Sequence, residues 1–382
     1  MQSCLQRQQQ RLQASHMAAP HPRIRSSLAC RAAASASVES IQGVRPEIKE
    51  AIAAAVNNCV TETNLPLPNK RVGKVRDTYE LDDKIVIVTT DRQSAFDRLL
   101  ASIPFKGQVL NQTAAWWFKH TGHIIGNAVL DVPDPNITVM KKCTVFPVEF
   151  VVRGFMTGST DTSLWTHYSN GAREYCGNTF PDGMAKNARL AANVITPTTK
   201  SETHDVPISP AEIVAQGLMS QADWDTASSA ALALFAHGQA EAAQRGLLLV
   251  DTKYELGKDA EGNILLLDEY ELGKDAEGNI LLLDEIHTPD SSRYWLADSY
   301  EARHAAGQEP QNIDKEFLRL WFRSRCDPYK DEVLPEAPVE LVSELSARYV
   351  YLYERITGQD FVPPPLQQPV GERMLANMAK YL

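Results

Sequence analysis

Hydrophobic and polar residues recur with two different periods along this chain, and each period predicts one kind of element. Apolar residues at helical spacing predict helices over the ranges 46–58, 108–120, 210–245, 314–325 and 338–357. Runs rich in Val, Ile and Leu predict strands over 70–81, 84–90, 148–154 and 246–257. The polar stretch DRQSAFDR at 91–98 predicts a loop. Strands and helices do not alternate as βαβ units, so the pattern predicts an α+β fold with mainly antiparallel sheets.

The length and composition predict two globular domains and no membrane partner. The chain has 382 residues, of which 43% are hydrophobic, and this is enough for a core shared by two domains. No apolar run approaches the roughly 20 residues that a membrane-spanning helix needs. The six cysteines are scattered without a CxxC pair, so neither a disulfide framework nor a zinc site is expected.

The first 38 residues differ from the rest of the chain in charge. They contain five arginines and no Asp or Glu, and they are rich in Ser, Ala and Gln. Such a leader is typical of an organelle transit peptide, although a disordered tail without an address has the same composition. Without these five arginines, 33 basic residues face 48 acidic ones, which gives a net charge of about −15. This charge argues against a nucleic-acid partner but is compatible with a bound mononucleotide.

A perfect internal repeat interrupts the second half of the chain. Residues 254–269 read YELGKDAEGNILLLDE, and residues 270–285 repeat the same 16 letters. Each copy predicts a strand, a turn and a strand, and two copies are fewer than the three that a solenoid needs. The repeat is either a recent duplication or an error in the gene model, and it predicts an added hairpin.

Several polar segments carry side chains that can do chemistry. In Gly73–Asp77 (GKVRD), the glycine lets a backbone approach phosphates, and Lys74 and Arg76 supply charge. This segment predicts a kinase-like hairpin over a triphosphate, since no GxxxxGK[ST] motif is present, or else a surface hairpin with solvated charges. Thr90–Asp97 follows a strand and predicts either a functional loop or an ordinary capped turn.

Two further segments follow the apolar strand that ends near residue 154. Arg153–Ser159 (RGFMTGS) has two glycines, an arginine and two hydroxyls. It predicts an anion nest, or else a strand-to-helix turn with Ser159 as the N-cap. Thr196–Asp205 (TPTTKSETHD) concentrates titratable groups in a loop that contains proline. A lone histidine is usually structural, but the charged neighbours of His204 make it a candidate for the site.

The region around the repeat places charged residues on one strand. Alternation puts Asp251, Lys253 and Glu255 on the same face. Asp284 follows the apolar run of the second copy, where paired acids at a buried strand end are costly without a cation. Carboxylates from both places predict a magnesium site, and Arg293 would hold an anionic substrate bidentately. The alternative is a charged hairpin face in solvent.

Together these segments resemble the SAICAR synthetase family. GKVRD-Y, TDRxSAFD, PFKGQVLNQ, VVRGFMTGS, PTTKSETHD, DTKYE-G and DExxTPDSSRYW occur in the family's order within about residues 45–360. The resemblance implies that the carboxylate of CAIR, an aminoimidazole ribotide, is joined to the amine of L-aspartate, with ATP cleaved to ADP and phosphate. The rivals are another ATP-dependent acid–amine ligase, a small-molecule kinase and a non-catalytic nucleotide-binding module.

The resemblance also implies ATP and Mg²⁺ as cofactors, and roles for individual residues. ATP would be bound by Gly73, Lys74, Arg76, Asp77 and Lys200. The substrates CAIR and L-aspartate would be bound by Arg153, Ser159, Asp205, Arg293 and Arg319. The catalytic groups would be Lys253, Asp205 and His204, and the metal ligands would be Glu255 and Asp284.

The repeat makes the metal ligands ambiguous, because the family has a single hairpin from Glu to Asp. This chain offers Glu255 or Glu271 together with Asp268 or Asp284. We assign Glu255 and Asp284, since the first is continuous with DTK and the second with IHTPDSSR. This assignment predicts that the residues between them are extruded as an extra hairpin.

The resemblance also implies a division of the chain and a location. Residues 1–38 would be a transit peptide, 39–69 an N-terminal helix and linker, 70–145 an ATP-binding domain, and 146–382 a larger α+β domain that completes the ATP, CAIR and aspartate sites. The fold would be related to the ATP-grasp and kinase-like nucleotide-binding folds. The leader implies a plastid form from a plant or alga, imported into the chloroplast. The oligomeric state is either a monomer or a homodimer, and the sequence does not decide between them.

Overall fold

The computed structural model describes residues 39–200, 206–266, 285–365 and 367–382. Residue contacts separate Met1–Glu39 from Ser40–Leu382, and the second unit is the one described below. The predicted transit peptide lies outside the described residues. Within those residues, no helix has the length and apolar character needed to cross a bilayer. The predicted boundary between domains at residues 145 and 146 stays a prediction.

The described residues form helices and short strands in a mixed order. The helices are α1 Pro46–Ala55, α2 Lys106–Thr121, α3 Leu164–Ser169, α4 Pro210–Ala215, α5 Gln221–Ala243, α6 Ala297–Ala305, α7 Glu316–Arg323, α8 Val339–Thr357 and α9 Val370–Asn377, followed by a 3₁₀ turn at Ala379–Tyr381. The strands are β1 Lys70–Val72, β2 Arg76–Glu80, β3 Lys84–Thr89, β4 Arg92–Ala95, β5 Arg98–Ser102, β6 Val129–Asp134, β7 Ile137–Lys141, β8 Thr144–Val145, β9 Val148–Met156, β10 Glu174–Tyr175, β11 Asn178–Thr179, β12 Ala188–Ile195, β13 Thr198–Thr199, β14 Val206–Pro207, β15 Leu247–Tyr254, β16 Leu256–Lys258, β17 Ile264–Leu266 and β18 Ser292–Leu296.

The buried residues of helix α8 recur with the helical period that the sequence predicts. Its residues Leu341, Leu345, Leu352 and Ile356 recur at helical spacing, and all four are buried. The helix ends where Gly358 adopts a positive φ of 69°, a backbone conformation that favours glycine. The sequence prediction of a helix over 338–357 is therefore confirmed within one residue.

The first sheet has the strand order β1-β2-β3-β7-β6 and is antiparallel. Its central strand β3, KIVIVT, is buried from its second residue onward. Ile85 and Ile87 contribute to one buried cluster, and Val86 and Val88 contribute to another. Because both faces of this strand are covered, its sequence is continuously apolar and does not alternate.

The second sheet has the strand order β14-β13-β9-β15-β18, with β12 also paired to β9. Helix α5 packs against β15 and covers one face of this sheet. All pairings between the strands named above are antiparallel, so the predicted α+β fold with mainly antiparallel sheets is confirmed. The central strands β9 and β15 carry the charged residues that the sequence marked as site candidates.

The prediction of a loop over 91–98 is wrong, because these residues form part of a hairpin. Strand β4 pairs with β5 around a two-residue turn formed by Phe96 and Asp97. Both residues have positive φ, 55° and 58°, as a type I′ turn requires. Phenylalanine rarely adopts this conformation, and here its buried ring packs edge-on against Tyr329 with 5.3 Å between ring centroids. Strand β4 has the mostly polar sequence RQSA, so the hydrophobic pattern did not predict it as a strand.

The first copy of the repeat supplies part of the core. Strands β16 and β17 form a hairpin, and β16 also pairs with β8. Leu265 on β17 belongs to the same buried cluster as Ile85. The prediction that the residues between Glu255 and Asp284 are extruded is therefore wrong for 256–266, because the leucines of this segment are buried in the core. The rest of that segment lies outside the described residues.

We expect deletion of residues 270–285 to raise the free energy of unfolding by about 1–2 kcal/mol. The two copies are identical, so deleting either one gives the same chain, and the first copy already supplies β16 and β17. The deletion shortens the connection between Leu266 and the glutamate before Ile286 from 18 residues to 2, which lowers the entropic cost of closing it. Urea unfolding of the two chains measures the difference. A shortened chain that unfolds more easily would contradict this expectation.

Candidate active site

The second sheet carries a row of three charged side chains across three neighbouring strands. Asp251 on β15 lies opposite Arg153 on β9 and, on its other side, opposite Arg293 on β18. Residues directly opposite each other share a sheet face, so the three side chains meet. Asp251 Oδ2 accepts hydrogen bonds from Arg293 Nη1 at 2.6 Å and from Arg153 Nη1 at 3.4 Å. One buried carboxylate therefore aligns two arginines that are far apart in sequence.

Helix α7 extends this row with one more carboxylate and one more arginine. Glu316 Oε2 accepts hydrogen bonds from Arg293 Nη2 at 3.3 Å and from Arg319 Nη1 at 3.4 Å. Burial opposes ionisation, but the charges of Arg293 and Arg319 outweigh it and hold the pKa of Glu316 at about 2. Three guanidinium groups thus alternate with two carboxylates, and the remaining positive charge suits an anionic ligand.

A second charged cluster lies further along the same two strands. Lys253 Nζ donates a hydrogen bond to Glu149 Oε1 at 2.8 Å and lies 3.6 Å from Glu255 Oε1. Lys200 contacts the other oxygen of Glu255. Lys253 is the most exposed of the four, with 28% of its side-chain surface accessible. The cluster therefore holds two lysines and two carboxylates in mostly buried contact.

Burial shifts the pKa values in this cluster, and the neighbouring charges modify each shift. Burial raises the pKa of Glu255 to about 8, although Lys200 and Lys253 oppose the shift. Burial lowers the pKa of Lys200, while Glu255 opposes that shift. For Glu149, burial is outweighed by the charges of Lys253 and Lys200, so the pKa of this carboxyl is lowered. Shifts of this kind are frequent at functional sites.

Both charged groups contribute side chains to a cavity of about 240 Å³. Its wall consists almost entirely of charged and hydroxyl residues. The lining residues are Glu149, Val151, Arg153, Thr160, Thr162, Thr198, Asp251, Thr252, Lys253, Asp290, Ser291, Ser292, Arg293, Asp314, Lys315 and Arg319. Five of them are cations and four are carboxylates, so the cavity suits small polar anions better than an apolar ligand. The predicted site residues Arg153, Lys253, Arg293 and Arg319 all meet here.

The glycine-containing hairpin holds the predicted ATP residues Gly73, Lys74, Arg76 and Asp77, which are not among the residues lining this cavity. Lys74 is partly exposed and lies 3.4 Å from an oxygen of Asp97. Arg76 is buried and forms an ion pair with Glu285. Asp77 is fully buried and accepts a hydrogen bond at 2.6 Å from Arg92. Arg92 also donates a hydrogen bond to the Gly73 carbonyl at 2.8 Å. Asp77 therefore stabilises the turn by holding Arg92 in place.

Ser159 follows a turn that depends on glycine. Gly158 has a φ of 116°, and a Cβ at this position would lie 2.3 Å from Ser163 Cβ. The alternative of Ser159 as a helix N-cap is wrong, because the next helix begins at Leu164 with Ser163 at the N-cap position. Ser159 is buried, and its hydroxyl contributes to the lowered pKa of the Glu316 carboxyl. The turn therefore places a buried hydroxyl beside Glu316, at the arginine row.

The residues predicted to hold Mg²⁺ lie only partly within the described residues. Glu255 is fully buried, and its Oε1 has no hydrogen-bond partner in the described ranges, which fits a cation ligand. Asp284, His204 and Asp205 fall outside the described residues. In the part of the chain that the structure describes, no cluster of three or more His, Cys, Asp or Glu side chains could hold a metal. Glu255 would therefore share an ion with ligands from elsewhere or with a nucleotide.

The sequence analysis assigned no role to Asp290, which lies at the centre of a buried polar network. Its Oδ1 accepts hydrogen bonds from Gln93 Nε2 at 2.9 Å and from the Tyr349 hydroxyl at 3.0 Å. Lys315 Nζ lies 3.3 Å from its Oδ2, and Lys106 Nζ lies 3.7 Å from its Oδ1. The motifs PFKGQ and TPDSSR contained two of these residues. For Tyr349, a core position of a helix, the sequence offered no such signal.

Comparison with known families gives one clear match. The sequence matches the family described as SAICAR synthetase over residues 69–270 and 270–336. The two matched segments meet at residue 270, which is the first residue of the second repeat copy. Together they cover more than half of the chain.

Curated and solved proteins agree with this match. The phosphoribosylaminoimidazole-succinocarboxamide synthase of Legionella pneumophila (strain Paris) is 60% identical over 324 residues, covering 85% of this chain and 99% of that protein. The chloroplastic enzyme of the same name from Arabidopsis thaliana is 55% identical over 341 residues, covering 88% and 79%. Among solved structures, the SAICAR-synthase from Saccharomyces cerevisiae complexed with SAICAR aligns with a TM-score of 0.65 and 28% identity, covering 79% of this chain and 99% of that one.

Proposed function

The chain belongs to the SAICAR synthetase family, and from this premise we propose how its site performs the family's reaction. The chain is a ligase that joins CAIR to L-aspartate to give SAICAR in purine biosynthesis. ATP is the third substrate in our proposal and is cleaved to ADP and phosphate. The observation that carries the proposal for the site is the meeting of Arg153, Lys253, Arg293 and Arg319 at one polar cavity.

The reaction needs an activated carboxylate, because a free carboxylate has no good leaving group. The proposed first step transfers the γ-phosphoryl group of ATP to the CAIR carboxylate, with ADP as the leaving group that stays bound until aspartate has reacted. The aspartate amine then attacks the carbonyl carbon of this acyl phosphate, the new C–N bond forms, and the C–O bond to phosphate breaks. Phosphate leaves with the bonding electron pair, and the nitrogen loses a proton. Both steps gather negative charge, so fixed cations stabilise them.

The arginine row would bind the substrate anions. Arg153, Arg293 and Arg319 present guanidinium groups that are aligned by Asp251 and Glu316 before any substrate arrives. Pre-aligned guanidinium groups bind phosphate and carboxylate with directional hydrogen bonds. We assign the CAIR phosphate and carboxylate to this row, with the buried hydroxyl of Ser159 beside Glu316 as a further donor.

Lys253 would act at the reacting centre. It lines the cavity on the same strand as Asp251 and two residues along, so its ammonium group lies next to the anion-binding row. There it would stabilise the charge on the transferred phosphoryl group and on the carboxylate. His204 and Asp205 would complete the catalytic set from their loop, which falls outside the described residues.

The ATP end of the site would use the glycine hairpin and Lys200. Lys74 is an exposed cation of the hairpin, while Arg76 and Asp77 fix the hairpin through buried ion pairs. We propose that 70–145 forms the ATP-binding domain of an ATP-grasp or kinase-like fold, and that 146–382 completes the substrate sites. In such folds a glycine-containing hairpin covers the phosphates.

Glu255 and Asp284 would hold Mg²⁺, which when bound neutralises charge on the ATP phosphates. The buried carboxylate of Glu255, whose Oε1 accepts no hydrogen bond among the described residues, supports this assignment. We expect Asp284→Asn to reduce turnover more than a hundredfold and Asp268→Asn to change it less than twofold. The identical neighbours of the two aspartates make each variant the matched control of the other.

The Mg²⁺ concentration that gives half-maximal rate should rise in the Asp284 variant alone, since a lost ligand weakens metal binding. Fluorescence titration with MgADP gives a second readout that does not depend on turnover. The opposite pattern, with Asp268→Asn inactive and Asp284→Asn active, would show that the first copy supplies the metal ligand.

Release of ADP tests the ATP-dependent reaction as a whole. Purified chain with ATP, Mg²⁺, CAIR and L-aspartate should release ADP only when both CAIR and aspartate are present. Release of ADP without aspartate, and with a stable phosphorylated product, would favour a small-molecule kinase. Turnover with another amine in place of aspartate would favour a different acid–amine ligase on the same scaffold.

We also propose that residues 1–38 direct the chain to the plastid. The leader's composition and the chloroplastic relative from Arabidopsis thaliana support this location. A fusion of residues 1–38 to a fluorescent protein in plant cells should accumulate in chloroplasts. Cytosolic fluorescence would contradict the proposal.

A further inference from the structure

Glu149 is a buried carboxylate to which the reaction described above assigns no role. It lies on β9 and lines the same cavity as Arg153, four residues along the strand on the same face. The residue is only 5% exposed. Burying a carboxylate costs free energy unless its oxygens are paired, so its partners indicate what it does.

Both oxygens of Glu149 have defined partners on neighbouring strands. Oε1 accepts a hydrogen bond from Lys253 Nζ at 2.8 Å, and Oε2 accepts one from Thr198 Oγ1 at 2.5 Å. Thr198 lies directly opposite Glu149 on β13, and Lys253 lies on the other side, on β15. The carboxylate therefore bridges three strands, and one end of the bridge is the lysine at the cavity.

We propose that Glu149 is a positioning residue that holds Lys253 in place for the reaction. This inference rests on the role proposed above for Lys253. A free lysine side chain samples many rotamers, so holding it in one of them costs conformational entropy. Glu149 orders Lys253 before the substrates bind, because its own carboxylate is fixed by Thr198. Glu255 is less suited to this task, since it lies 3.6 Å from Lys253 Nζ and also contacts Lys200.

Kinetic constants of four variants test the proposal. Glu149→Gln keeps the shape of the side chain but removes its charge. We expect kcat to fall about 10- to 100-fold, because a small displacement of a catalytic group such as Lys253 lowers the rate by about this much. The KM values for CAIR and aspartate should change less than threefold. Glu149→Asp keeps the charge but is one methylene shorter, so it should recover part of the lost kcat.

The anchor of the carboxylate gives a matched pair of controls. Thr198→Val removes the hydroxyl that fixes Glu149 and should lower kcat about 3- to 10-fold. Thr198→Ser keeps the hydroxyl and should stay within twofold of the unmodified chain. Equal kcat values for the Val and Ser variants would overturn the proposed anchoring.

Two other outcomes would overturn the role of Glu149. If Glu149 served stability only, Glu149→Gln would lower the melting temperature and the active fraction, while kcat for each active site stayed unchanged. If Glu149 were a metal ligand, excess Mg²⁺ would restore the kcat of Glu149→Gln. The proposal requires that neither occurs.

A readout that does not depend on turnover separates this inference from the proposed function. Amine-reactive labelling followed by mass spectrometry measures how accessible Lys253 is, with the 85% exposed Lys330 as an internal reference. We expect the labelling of Lys253 relative to Lys330 to rise at least threefold in Glu149→Gln. An unchanged ratio would overturn the inference even if the ligase reaction is confirmed. A raised ratio in a chain without ligase activity would support the restraint of Lys253 by Glu149 and would contradict only the proposed function.

Discussion

Replacement of Lys253 with methionine is expected to lower kcat by about 10²- to 10³-fold while the chain stays folded. Methionine is similar in length but has no charge, so the substitution removes an ammonium group from the wall of the cavity. An electrostatic contribution that acts on charge developing in the transition state appears mainly in kcat. Steady-state kinetics with CAIR and aspartate varied in turn measure the effect, with circular dichroism as the check on folding.

Lys258→Met is the matched control for this variant. Lys258 lies five residues further along, and its ammonium group pairs with Asp223 at 2.7 Å outside the cavity lining. Its activity should stay within twofold of the unmodified chain. A Lys253→Met variant that keeps more than a tenth of the original kcat would exclude Lys253 from the reacting centre.

The sequence predicted the charged face of the second sheet because a strand alternates with a period of two. Asp251 and Lys253 do share one face, and both line the cavity. The sequence could not predict which strands lie beside them. Only the register of β9 and β18 shows that Arg153 and Arg293 flank Asp251 from opposite sides. Strand register is a tertiary property, set by packing over the whole sheet.

The network around Asp290 shows a second limit of sequence analysis. Gln93 and Tyr349 lie 256 residues apart in the chain, yet their side chains are hydrogen-bonded at 3.2 Å. Both also donate to Asp290. Tyr349 occupies a helical core position, where its spacing predicts burial but not a polar role. A buried hydroxyl normally finds a partner, but the sequence does not say which one.

The repeat shows where local prediction and core packing disagree. Flanking motifs favoured a hairpin outside the fold between Glu255 and Asp284, because each residue continued a different motif. Residues 256–266 of the first copy join the core instead. Leu256, Leu265 and Leu266 are buried there, and exposing them to water would lose the free energy of burying their apolar surface. Flanking motifs identify a chemical site, but buried apolar area decides whether a segment joins the core.

Replacement of Asp251 with asparagine is expected to lower the free energy of unfolding by about 3 kcal/mol and to abolish measurable turnover. Asp251 is 5% exposed and is paired with both Arg153 and Arg293. Asparagine keeps the shape but removes the charge, so two buried guanidinium groups lose a shared counter-ion. The arginines would then turn toward other acceptors, and the row that binds the substrate anions would lose its alignment. Urea unfolding and steady-state kinetics measure the two effects separately.

Asp182→Asn is the matched control, because it removes the same charge from an arginine–aspartate pair at the surface. Arg173 Nε lies 2.6 Å from Asp182 Oδ1, but the Asp182 side chain is 90% exposed. Water screens this pair, so its loss should change the free energy of unfolding by less than about 1 kcal/mol and leave turnover intact. Similar losses of stability in both variants would mean that burial does not strengthen the Asp251 pairs. An Asp251→Asn variant with normal KM values for CAIR would exclude the arginine row as the binding site of its anionic groups.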